Sequence, residues 1–312
     1  MTEAVPHEPL EPASGSVWRA RLRWLILVSG LAGLAIITRQ ALSDDETAIP
    51  GAAASAAALV LYGGAGVSAA RAWSVLLGPT VDPLEVRGAM YASQLSKYVP
   101  GGGVLQAAGQ VVLSTSDRLT VRRSALAWAT SMVLTVVAGV LLLSGLALLG
   151  GFGDDARMVA VLGFASLLLV NRGRLGWALT QLRRLTARIP EPDLLPEQRA
   201  LHIALGWTIS SLLLSAASYT TILVDLDSAV RPVEVLPAFV AGWLAGFLLV
   251  PLPAGLGARE AILVALIPGS TTGLVLAASL SQRLIAFVAE LLLLAGNRLT
   301  RRRRRAADLQ PR

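Results

Sequence analysis

A single lysine, Lys97, stands three residues ahead of the run Pro100-Gly101-Gly102-Gly103. An Arg259-Glu260 pair directly follows a second breaker, Pro251-Leu252-Pro253-Ala254-Gly255-Leu256-Gly257. Both breakers interrupt long apolar stretches. Charge inside such a stretch is costly and usually faces a pore, a partner or a substrate. A helix that restarts after a breaker presents free N–H groups and the positive end of its dipole, and glycines let a ligand come close to the backbone. With Lys97 and Arg259 beside them, these features predict a site for an anion, phosphate above all. Pro100, Gly101, Gly102, Gly255 and Gly257 are the backbone positions that would line it, and Glu260 would orient Arg259 or meet a counter-cation. Arg283 and Glu290 lie seven residues apart in a later apolar block, hence on one helix face, and join the expected substrate-binding set together with Gln106. The competing role for these charges is internal pairing that serves stability alone. Gln94, Gln106 and Gln110 would equally satisfy backbone groups near the first break.

Other chemistry finds little footing. The chain has no cysteine and two histidines, His7 and His202. It shows no HExxH motif, P-loop or GxSxG, and no Ser/His/Asp set. No catalytic residue, metal ligand or cofactor is therefore predicted. Asp225-Leu226-Asp227 has the spacing of a metal–nucleotide carboxylate pair, but its place between apolar blocks makes it a solvated loop.

The elements that must position the charged residues are helices in lipid. Of 312 residues, 54% are hydrophobic and only 15% charged, with a mean hydropathy of +0.63; a soluble domain carries about 25% charge. Crossing a hydrocarbon core takes about 20 apolar residues in helix. Five blocks meet or approach that length, Leu22–Ile37, Gly51–Leu77, Ala125–Leu149, Ile203–Val224 and Gly273–Ala295, and a sixth, Met158–Val170, is short but clearly apolar. Two more, Gly88–Leu113 and Leu236–Ile267, are the stretches cut by the breakers.

Charge sets direction, because Lys and Arg gather on the cytoplasmic side. Arg19, Arg21 and Arg23 place the N-terminus inside, and Ser43-Asp44-Asp45-Glu46 reads as outside. Arg71 and Arg87 mark the inside again, as do Arg118, Arg122 and Arg123. Only Gly88–Leu113 lies between Arg87 and Arg118, so it must enter and leave by one face. Each of its arms is about 11 residues, or about 16 Å of helix, which reaches mid-membrane. The basic loop from Arg172 to Arg199 and the run Arg301–Arg305 are inside, so Leu236–Ile267 starts and ends outside. The expected fold class is thus an all-α integral membrane protein of about six full transmembrane helices plus two oppositely oriented re-entrant helical hairpins, an inverted repeat. Transporters built on that plan hold substrate near the midplane. Residues 1–18 are expected to be a disordered cytoplasmic segment, 19–298 a single membrane domain and 299–312 a basic cytoplasmic tail. The net charge of +7 reflects this inside bias, with membrane lipids rather than nucleic acid as partners.

The motifs resemble a known family. Ser93-Gln94-Leu95-Ser96-Lys97-Tyr98-Val99-Pro100-Gly101-Gly102, followed by Gln106-Ala107-Ala108-Gly109, is similar to the K-Y-(L/V)-P-G…Q…G signature of the lysyl-phosphatidylglycerol synthase transmembrane region. Pro253-Ala254-Gly255-Leu256-Gly257-Ala258-Arg259-Glu260 resembles that family's P-G-G-(L/I)-G-x-(R/K)-E motif, departing at Ala254, where glycine is usual. The resemblance runs from about Trp24 to Arg298 and implies a flippase-like domain in a bacterial cytoplasmic membrane. The soluble synthase domain of that family has no counterpart up to Arg312, so the resemblance does not extend to aminoacyl transfer. The function expected is a lipid flippase or transporter-like protein moving a phosphate-bearing lipid, either phospholipid or polyprenyl-phosphate-linked. The alternatives are a membrane-embedded lipid-modifying enzyme and a non-catalytic membrane partner of a glycosyltransferase. A second copy of the chain or a lipid-linked glycosyltransferase are the protein partners this leaves open.

Overall fold

A computed structural model of the chain describes residues 48–98, 102–115, 119–151, 156–185, 190–248 and 258–308. The first expected span, Leu22–Ile37, lies outside them. The described chain is helical: α1 (Ala52–Leu77), α2 (Pro83–Gln94), α3 (Gly102–Ser114), α4 (Val121–Leu146), α5 (Ala156–Ser166), α6 (Arg172–Leu185), α7 (Gln198–Leu226), α8 (Pro232–Leu248), α9 (Ala258–Leu266) and α10 (Thr272–Asp308).

Four stretches are long and apolar enough to cross a membrane: Ala52–Leu77, Val121–Leu149, Gln198–Leu226 and Thr272–Arg304. That is the behaviour of an integral membrane protein, and it differs from the count of six. One of the missing two is outside the described residues. The other, α5 with its 3₁₀ extension Leu167–Leu169, is well short of the roughly 20 residues a straight crossing needs. Its Val161, Leu162, Phe164, Leu168 and Leu169 are all exposed, as suits a face turned to lipid. The basic loop after it is also more ordered than charge alone suggests. Residues 172–185 form α6, where Leu175 packs on the core while Trp177 and Leu182 stay exposed; its leucines recur at helical spacing and its arginines sit at the ends.

Local chemistry explains the helix ends. Asp82 caps α2, its Oδ1 accepting from Leu84 N at 3.0 Å, with Pro83 in the first turn; proline there loses only an N–H that had no helical partner. Thr120 Oγ1 caps α4 by accepting from Arg123 N at 3.3 Å. Gly78 ends α1 at φ +84°, a left-handed turn that glycine adopts without strain.

Helices α1 and α7 form the centre and run antiparallel. Four contacts fix their register in order: Gly51 N donates to Asp225 Oδ2 at 2.7 Å, Ser218 Oγ donates to Ala58 O at 2.9 Å, the Ser68 and Ser210 hydroxyls meet at 3.4 Å, and Arg71 lies 4.6 Å over the Trp207 ring. Small residues on both helices let the backbones approach, the usual packing device in lipid.

The buried side chains fall into two cores stacked along this pair. One takes Trp73, Leu76 and Leu77 of α1, Val86 of α2 and Leu95 just after it, Leu134 and Val137 of α4, Leu201 of α7 and Phe287 and Leu294 of α10. The other takes Ala58 of α1, Tyr219 and Leu223 of α7, Val235 and Phe239 of α8, Leu263 of α9 and Val275 of α10. Helices α1 and α10 therefore run from the second core to the first, and α4 and α7 run the opposite way. Each interrupted segment folds back so that its arms pack on each other, α2 on α3 and α8 on α9. The first does so within one core and the second within the other.

One glycine contact between layers is testable. A Cβ on Gly139 of α4 would lie 2.6–2.8 Å from Cγ and both Cδ atoms of Leu244 on α8. Gly139→Ala is expected to lower stability by about 1–3 kcal/mol through overpacking. The cost should shrink in a Leu244→Ala background, because the clashing atoms are then gone. Thermal unfolding of the four variants in detergent measures both numbers; an unchanged cost in the second background would refute the contact.

Candidate functional site

The charged residues singled out in the sequence converge on α10. Lys97 belongs to the 3₁₀ turn Leu95–Tyr98 that closes α2. Its ammonium forms an ion pair with Glu290 Oε1 and hydrogen-bonds to the Tyr62 hydroxyl at 3.2 Å and to Gln94 Oε1 at 3.3 Å. The Tyr62 hydroxyl donates to the same Glu290 oxygen at 3.4 Å. Tyr98 stands edge-on against Phe287 with ring centroids 5.3 Å apart. The side chain of Glu290 is 4% exposed and that of Lys97 28%, so the acid is sealed in and the amine is not.

The second group lies about two turns earlier on α10. Arg283 pairs with Glu260 at 2.6 Å. Arg259 donates to Gln282 Oε1 at 2.5 Å, and Gln282 Nε2 in turn donates to the backbone oxygen of Ser215 on α7 at 2.8 Å. The guanidinium of Arg259 also lies 4.7 Å from the Phe239 ring and 6.0 Å from that of Tyr219. Such rings attract a cation that has left water without neutralising it. Tyr219 is held in place by donating to Val275 O at 3.2 Å.

The pairing is not the one the sequence suggests. Arg283 and Glu290 share a helix face, yet each takes a partner from a different hairpin, Glu260 and Lys97. Their side chains reach outward from α10, so residues on a neighbouring helix are better placed than one two turns away on the same helix. Counting the cluster, Lys97, Arg259 and Arg283 face Glu260 and Glu290, which leaves one positive charge over. Among the described residues Arg259 has no carboxylate within ion-pair distance, and its Nε is buried without a hydrogen-bond partner. The surplus charge therefore resides at Arg259, in the first turn of α9.

Several expected positions fall elsewhere. Pro100, Gly101, Gly255 and Gly257 lie outside the described residues. Gly102 is the first residue of α3, and Gln106 sits half-buried on the same helix. Gln110 is buried one turn further on. Asp225 and Asp227 act structurally, accepting from Gly51 N and from Ala229 N at 3.1 Å. His202 meets Gln198 at 2.9 Å near the start of α7. Sequence reasoning missed Tyr62 and Gln282, the neutral groups that organise the two halves. Tyr62 carries no charge and sits in a long apolar helix that also holds Trp73; Gln282 had a signal, since a glutamine beside Arg283 in mid-span is itself costly to bury unpaired. No protein-family model matches the chain, and no curated protein matches it either.

Proposed function

We propose that this chain is a flippase- or transporter-like membrane protein that moves a phosphate-bearing lipid, phospholipid or polyprenyl-phosphate-linked, across a bacterial cytoplasmic membrane. The observation that carries this reading is Arg259: a cation deep in an apolar bundle, hydrogen-bonded to a neutral amide and lacking a carboxylate partner among the described residues. A buried guanidinium is stable only if something compensates it, and a phosphate ester does so with paired, charge-assisted hydrogen bonds. Lys97 supplies a second cationic station on the opposite hairpin. The six-span arrangement with two re-entrant hairpins and both termini in the cytoplasm belongs to this proposal, as does the likeness to the lysyl-phosphatidylglycerol synthase transmembrane region. The opposed fold-back of the two hairpins and the antiparallel run of the long helices support it. Rocking of one repeat against the other would expose the cluster to each side in turn.

Proteoliposomes tests the reading directly, with fluorescent phosphatidylglycerol in one set and a fluorescent polyprenyl phosphate in another. Movement faster than in protein-free vesicles is expected for at least one of them. Rates equal to protein-free vesicles for both would sink the proposal.

A further inference from the structure

The Lys97 end of the cluster is built differently from the Arg259 end. Lys97 already has an acid, so a lipid phosphate can reach it as a partner only if Glu290 gives it up. Glu290 is equipped to do that. Its Oε1 receives both Lys97 and Tyr62, while its Oε2 is buried with no hydrogen-bond partner among the described residues. The Tyr98 hydroxyl is buried against the same acid. An ionised carboxyl can only accept, and a neutral one can donate. We infer that Glu290 is a proton-binding site whose protonation frees Lys97 to hold the lipid phosphate, so that lipid movement is coupled to protons.

The exchange balances. A proton from water adds to Glu290 Oε2, and the O–H so formed is available to the Tyr98 oxygen. Lys97 keeps its three N–H bonds and its charge throughout. Its ion pair with Glu290 is replaced by one with the phosphate ester. Before the exchange the pair Lys97⁺/Glu290⁻ is neutral. After it, Lys97⁺, the singly charged phosphate ester and the neutral acid again sum to zero. In an apolar site that equality decides the stoichiometry, because each uncompensated charge is heavily penalised. Arg259 needs no such exchange, so the phosphate can arrive there without a proton.

Nothing else facing Glu290 is placed to take this role. From α1 it meets Tyr62, and from the first hairpin Lys97 and Tyr98. On α9, Glu260 is engaged by Arg283, itself on α10, and Arg259 faces Gln282. On α7, the Tyr219 hydroxyl is turned to Val275 O.

The inference rests on the lipid-moving reading and is tested so that the two can fail separately. The probe is fluorescent phosphatidylglycerol in proteoliposomes, followed across the pH range in which the protein stays folded, with and without an imposed proton gradient. For the wild-type protein the rate should rise as pH falls and net movement should follow the gradient. Glu290→Gln, which resembles the protonated acid, should move lipid at a rate that responds to neither. A second measurement does not depend on the variant: a pH dye in weakly buffered lumen should report about one proton carried per lipid, the reciprocal of the pH effect. Lipid movement by wild type without pH dependence, or with a silent dye, overturns the proton site and leaves the flippase reading standing. A Glu290→Gln protein that keeps the wild-type pH response overturns it too. No movement of lipid by wild type removes both.

Discussion

Arg259→Gln is expected to slow transbilayer movement of the lipid probe by roughly 10- to 100-fold, which corresponds to one charge-assisted hydrogen-bonded contact of about 1.5–3 kcal/mol. The direction follows from charge. Among the described residues no acid pairs with Arg259, and the substitution leaves a neutral group with nothing to attract phosphate. The same substitution should leave thermal stability unchanged or slightly raised. It removes a buried cation whose Nε has no partner among the described residues, and Gln282 keeps its bond to Ser215 O at 2.8 Å. Loss of activity without loss of stability is the mark of a group held for function. Arg259→Lys should retain part of the rate, since it keeps the charge and gives up the planar fork. A protein that loses stability in step with activity would show that Arg259 serves the fold, and wild-type rates from Arg259→Gln would remove it from the site.

Breaking the other half of the cluster should look different. Lys97→Met takes the ammonium away from Glu290, whose side chain is only 4% exposed and keeps a hydrogen bond from the Tyr62 hydroxyl at 3.4 Å. Removing one member of a buried pair typically costs about 3–5 kcal/mol. The double variant Lys97→Met/Glu290→Met should recover most of that loss, because it buries no charge and fills the space with two flexible apolar side chains. Thermal unfolding of the singles and the double in detergent gives the coupling energy directly. Equal stability of single and double would mean that the pair does not hold the first hairpin to α10. Lipid movement should be lost in the single and the double alike, as both lack the Lys97 station. The two halves of the site are thus separable: Arg259 acts on rate at constant stability, and Lys97 acts on both.

The placement of the two ion pairs shows where sequence reasoning reaches its limit. Lys97, Arg259, Glu260, Arg283 and Glu290 are each conspicuous in the linear chain because each carries charge into an apolar block. The sequence led to the expectation of a site between the two breakers, and the meeting of these residues on one stretch of α10 came from the structure. Which acid meets which base was not implied. Seven-residue spacing puts Arg283 and Glu290 on a common face, and in an isolated helix that is all there is to go on. In the bundle each of the two interrupted segments brings one charged group to that face, Lys97 to Glu290 and Glu260 to Arg283. Gln282 and Tyr62, which carry no charge, became visible only through what they touch.

The elements followed the same division. Hydrophobic length and the breakers determined the long helices and the two interruptions, because the cost of an unpaired backbone group or a charge in hydrocarbon is paid residue by residue and is therefore written locally. The antiparallel register of α1 on α7 and the stacking of two cores were decided by tertiary packing. Register depends on how small side chains such as Ser68 and Ser210 mesh, and that is a property of two surfaces together. The sequence by itself determined that charge would sit deep in an apolar bundle beside two breaks. The tertiary structure alone decided that four of those five charges cancel in pairs and that Arg259 does not, since neutralisation is a matter of distance between groups far apart in the chain.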